Sequence, residues 1–128
     1  MTAEVAGAIE ELRATFAGHD VTLEEDGDGG AYVMVANLAF GPAFSPASGW
    51  IGFHIGCQYP AADVYPHFAP PLARADAASL PAGLSGGEGM KWRELPATQI
   101  SRRSNGRRDD ADTAAIKLTK VLAWIRSL

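Results

Sequence analysis

Cysteine is nearly absent. Cys57 is the single one in 128 residues. That excludes an internal disulfide framework and makes a reducing compartment the expectation. Long hydrophobic runs are missing as well, for no apolar stretch approaches the roughly 18 residues of a membrane-spanning helix. Met1-Thr2-Ala3-Glu4 lacks the basic region of a secretory leader. A soluble, cytoplasmic protein is therefore expected. There is no surplus of positive charge. A formal net charge of -4 argues against nucleic acid or an anionic membrane as partner of the whole surface. The charge is nevertheless uneven. Residues 1–28 carry Glu4, Glu10, Glu11, Asp20, Glu24, Glu25, Asp26 and Asp28 against Arg13 alone, whereas bases outnumber acids over residues 91–128. What is present is ordinary for a globular chain, with 47% apolar and 20% charged residues. One domain over residues 1–128, with a single core, accounts for the length.

Periodicity places the elements. Val5, Ile9, Leu12 and Phe16 recur at steps of three and four, which predicts a helix over 3–17. Thr2 is its candidate cap and Gly18 its stop. Val21 to Glu25 and Ala31 to Phe40 read as strands of a hairpin turned by Asp26-Gly27-Asp28-Gly29-Gly30. In Trp50 to Cys57, a third strand, Ile51, Phe53, Ile55 and Cys57 share an apolar face. Cys57 is accordingly expected in the core. Trp92 and Leu95 are expected to re-enter the core after a loose stretch over 73–89. Ala97 to Arg102 suits a fourth short strand or an extended segment, and Ser104 to Arg108 a turn. A final helix, capped by Asp112, carries the apolar stripe Ile116, Leu118, Val121, Leu122, Ile125 and Leu128, with Lys117, Lys120 and Arg126 solvated or favouring the helix C-terminus. The fold class is α+β: an N-terminal helix, an antiparallel β-meander of three to four strands, a proline-rich crossing and a C-terminal helix, with the helices on one side of the sheet.

The crossing is Tyr65-Pro66-His67-Phe68-Ala69-Pro70-Pro71. Proline removes a backbone donor and pushes the residue before it toward extended geometry. Neither helix nor central strand is expected there, but a stiff surface path anchored by Tyr59, Tyr65 and Phe68.

Candidate chemistry is sparse. Asp26 and Asp28 begin a calcium-loop pattern that lacks its later ligands and closing Glu. His54, Cys57 and His67 suggest zinc, but His54 and Cys57 fall on opposite strand faces and the next histidine, His19, is distant. No metal or other cofactor is expected. Gly86-Gly87-Glu88-Gly89 lacks the Lys-Ser/Thr of a phosphate loop. Ser101 lacks a nucleophile-elbow setting. Arg102, Arg103, Arg107 and Arg108 form the one basic cluster, readable equally as a dock for an acidic partner or phosphate and as a solvated turn balanced by Asp109, Asp110 and Asp112.

Taken together, the order of elements and the run Asp63-Val64-Tyr65-Pro66-His67-Phe68-Ala69-Pro70-Pro71-Leu72 resemble the ubiquitin-conjugating enzyme family. Tyr65, Pro66, Pro70 and Pro71 match its Tyr-Pro, spacer, Pro-Pro signature. Phe53-His54-Ile55 resembles the strand before it, and Ala114 to Leu128 the helix after its active site. The family's His-Pro-Asn tripeptide and nucleophilic Cys are both absent, and Gln99-Ile100-Ser101-Arg102 stands where the thiol would. The resemblance implies two alternatives. In one, Ser101 carries the C-terminus of a ubiquitin-like protein as an oxyester, with His67 as base and Arg102 or Arg103 serving the oxyanion. In the other, the chain is an inactive conjugating-enzyme- or RWD-like binding module. A Cys replaced by Ser for trapping also fits. Abundant Ala, Gly and Arg with few Lys point to a high-GC bacterial source. The implied partners are then a ubiquitin-like protein and a ThiF-like activating enzyme.

Overall fold

The computed structural model describes residues 1–104 and 112–128. Arg107, Arg108, Asp109 and Asp110, and the turn expected there, lie outside the described residues. Among those described, no helix is long and apolar enough to cross a membrane.

The chain is α+β. Helix α1 (Ala3–Thr15) comes first, and the Thr2 hydroxyl caps it by accepting from the Val5 amide. Strands β1 (Val21–Glu25) and β2 (Ala31–Ala39) form the expected hairpin. They are followed by β3 (Phe44–Ser45), β4 (Ser48–Ile55), β5 (His67–Ala69), β6 (Ala73–Arg74) and β7 (Leu84–Ser85). Then come β8 (Lys91–Trp92), β9 (Leu95–Pro96), β10 (Thr98–Ile100) and α2 (Ala114–Arg126). The main sheet has six strands in the order β1-β2-β4-β5-β10-β7, paired antiparallel. Small β3–β6 and β8–β9 ladders sit beside it.

One face of the sheet and both helices make the core. Val33, Val35, Ile51, Phe53, Ile55, Ala69 and Ile100 from the strands are buried with Val5, Ile9 and Leu12 of α1 and Leu118, Val121, Leu122 and Ile125 of α2. Spacing at two along strands and at three or four along helices brings these residues to one layer.

The structure corrects several expectations. The proline-rich crossing holds a strand at the centre of the sheet, because β5 fits into the three residues between Pro66 and Pro70. The prolines flank the ladder and break none of its bonds. Cys57 is exposed, because β4 stops at Ile55 and the chain turns before the alternation reaches it. Leu95 is exposed on its hairpin, and Ile116 is exposed on α2. Thr113, not Asp112, caps α2, accepting from the Ile116 amide.

The other sheet face is covered in part by the β8–β9 hairpin, which lays Trp92 over Gly52. Trp92 packs with Trp50 at 5.8 Å and Phe68 at 6.3 Å between ring centroids. A Cβ at Gly52 would stand 2.6 Å from the Trp92 ring, so glycine is required by the close approach. Gly52→Ala should cost about 1–3 kcal/mol through overpacking and lift Trp92 off the sheet. Urea denaturation together with a red shift in tryptophan emission checks it.

Candidate functional site

Ser101, Arg102, Arg103 and Tyr65 gather where β5 begins and β10 ends. Ser101 follows β10 directly. Its amide donates to the Gly83 carbonyl at 2.8 Å, and its Oγ accepts from the Gln99 Nε2 at 3.2 Å. Tyr65 stands before β5, so the antiparallel register brings it beside Ser101. Hydrogen bonding to Ser101, and then to the Arg103 guanidinium, lowers the Tyr65 phenol below its ordinary range. The Arg103 guanidinium lies over the Tyr65 ring, 4.4 Å from its centroid. Arg102 lies over Trp124 at 4.5 Å. Pro66, Pro70 and Pro71 contribute geometry and no reactive group: they bracket β5, and Pro70 packs against the chain at Gly49.

His67 is not brought to Ser101. It pairs across the ladder with Ile100, so it shares the core face with Ile100, while Ser101 is the next residue along β10. His67 is fully buried against Phe53, with ring centroids 5.1 Å apart, and neither ring nitrogen has a hydrogen-bond partner. Burial, and then the positive charge of Lys117, push its pKa down to about 3. The base–hydroxyl contact that an oxyester mechanism would take from this histidine is not formed.

A polar cluster that periodicity did not reveal lies next to Ser101. Lys117 is almost wholly buried and donates to both Asp63 carboxylate oxygens, at 3.0 and 3.3 Å, and to the Ser104 hydroxyl at 2.7 Å. The Ser104 amide and hydroxyl also donate to Asp63. Burial would raise the Asp63 pKa, but the Ser104 amide and the Lys117 ammonium outweigh it and hold the carboxyl below its ordinary value. The spacing did contain a signal. Position 117 lies three residues after Ala114 and four before Val121, both buried, so it falls on the inner stripe of α2. Nearby, Tyr59 anchors the start of α2 by accepting the Ala114 amide at 3.1 Å, and Thr113 donates to Glu11 of α1 at 2.6 Å.

On the far side of the sheet, His54 bonds Asp26 at 2.6 Å and stacks on Tyr32. This holds the Asp26 pKa down and fixes the β1–β2 turn, since Asp26 also accepts the amides of Asp28 and Gly30. Among the described residues, no group of three or more His, Cys, Asp or Glu side chains is placed to hold a metal ion.

Against family models, curated proteins and solved structures, the chain matches none.

Proposed function

We propose that this chain is a ubiquitin-conjugating-enzyme-like docking module. It binds a ubiquitin-like protein or its ThiF-like activating enzyme and takes no acyl group itself. The reading rests on the Tyr65-Pro66 and Pro70-Pro71 signature in an α+β chain that begins and ends on a helix. The observation that selects docking over catalysis is at His67, whose buried ring nitrogens make no hydrogen bond to Ser101 or to any other group. A serine hydroxyl without an adjacent base is a weak nucleophile.

A second reading keeps one observation in its favour. Tyr65 stands beside Ser101 with a lowered pKa. In an oxyester carrier, Tyr65 and not His67 would receive the Ser101 proton.

Incubation with an activating enzyme, its ubiquitin-like protein and ATP separates the two. Docking predicts a complex in gel filtration and no covalent adduct on a denaturing gel. An adduct that survives thiol reductant, is cleaved by mild base and disappears in Ser101→Ala overturns it. Its loss in Tyr65→Phe as well would establish the second reading.

A further inference from the structure

A cavity of about 210 Å³ opens between the segment after β10 and the first turns of α2. Its polar lining is Arg102, Arg103, Ser104, Asp112, Lys117 and Lys120. Lys117 is paired with Asp63, and Lys120 with Asp112 at 2.9 Å. Arg102 and Arg103 have no carboxylate within ion-pair distance among the described residues. Each is held over an aromatic ring, Trp124 and Tyr65 respectively. A guanidinium stacked in this way keeps most of its N–H edge available, although Arg103 gives part of its own to the Tyr65 phenol, and that planar fork matches a tetrahedral oxyanion. Among the described residues, four cations thus face two carboxylates. Two adjacent guanidinium forks match the charge and the several oxygens of one phosphoryl dianion. A carboxylate, with two oxygens and one charge, would engage only one of them. The start of α2 contributes little, because Thr113 accepts the Ile116 amide and Tyr59 the Ala114 amide.

We infer that this cavity binds a phosphoryl dianion, with Arg102 and Arg103 as its direct ligands and Lys117 and Lys120 supplying field. The inference goes beyond the docking function and stands independently of it. The dianion comes either as free phosphate or on a small phosphorylated metabolite.

The test is an amide-correlation NMR titration of the whole chain at pH 7.5 and constant ionic strength. The probes are inorganic phosphate, adenosine 5′-monophosphate and acetate. Saturable shifts are expected at Arg102, Arg103, Ser104 and the Trp124 indole. Phosphate affinity should fall about tenfold or more in Arg102→Gln/Arg103→Gln, roughly 1.4 kcal/mol. It should be unchanged in Lys91→Gln, which removes an exposed cation elsewhere. Nucleotide binding well above that of phosphate assigns a phosphorylated metabolite, and equal binding assigns free phosphate. Shifts that never saturate, equal binding of acetate and phosphate, or a double variant that binds as well as the parent each overturn the inference. Thermal melting of the double variant, expected to match the parent, separates lost binding from lost folding.

Discussion

Between pH 7 and pH 5 the protein should lose about 2 kcal/mol of stability through His67 alone. Its ordinary pKa of 6.5 applies in the unfolded chain, and burial lowers it to about 3 in the folded one. Above pH 6.5 both states are neutral at this ring and His67 adds no pH dependence. Below it, the unfolded chain binds a proton that the folded chain refuses. Stability therefore falls by up to 1.36 kcal/mol per pH unit until about pH 3. Other groups titrate as well, so the informative quantity is a difference. Urea unfolding at pH 7.5, 6 and 5 should show that His67→Leu loses less stability on acidification than the parent, by about 2 kcal/mol at pH 5. At pH 7.5 the variant should match the parent or exceed it by roughly 1–2 kcal/mol. Leucine removes two buried ring nitrogens that have no partner, and such groups carry an uncompensated desolvation cost. A parallel acid response in parent and variant would place a proton or a partner on His67 in the folded state.

Lys117→Met should destabilise the fold by about 2–4 kcal/mol. Breaking a fully buried ion pair by removing one partner costs roughly 3–5 kcal/mol, because the other charge stays buried and uncompensated. Here Asp63 keeps 24% of its side chain exposed and retains both Ser104 donors, which moderates the loss. Two further readouts follow from the same geometry. The Asp63 pKa should rise, since burial persists after the ammonium is gone. Lys117→Met/Asp63→Asn should recover part of the lost stability, because the carboxylate that lost the ammonium no longer carries a charge. Denaturant unfolding measures the first and last of these, and carboxyl titration by NMR the second. An unchanged midpoint in Lys117→Met would mean that the pair contributes nothing net.

The general frame was legible in the sequence wherever one period ran uninterrupted. Val5, Ile9 and Leu12 gave α1 and its buried face, and Ile51, Phe53 and Ile55 gave β4. Alternation does not say where a strand stops, so Cys57 was carried one step too far into the core. Proline density concealed β5, because the rule against proline in a ladder acts on single positions and leaves the residues between prolines free to pair. Lys117 was hidden for a different reason. A lysine is buried only with a partner, and its partner Asp63 is 54 residues away in the chain. The site was legible in part. Ser101, Arg102, Arg103 and Tyr65 come together, but His67, two residues after Tyr65, is buried in the core opposite Ile100. Ser101 directly follows Ile100, and adjacent residues of an extended chain point opposite ways, so Ser101 leaves the face that His67 shares with Ile100.

The brevity of β5 has a mechanical consequence. It meets β4 through two residue pairs only, Gly52 with Phe68 and Phe53 with His67. The same brevity runs on through β10 and β7, joined by three pairs and then two, against five between β1 and β2. The sheet thus has long ladders at β1, β2 and β4 and short ones from β5 outward, where β10 leads into the Ser101–Ser104 segment. Shear in the short-laddered part is resisted chiefly by side chains of the apolar layer beneath. A load applied at Arg102 and Arg103 falls first on these short ladders and only then on the long β1–β2–β4 pairing.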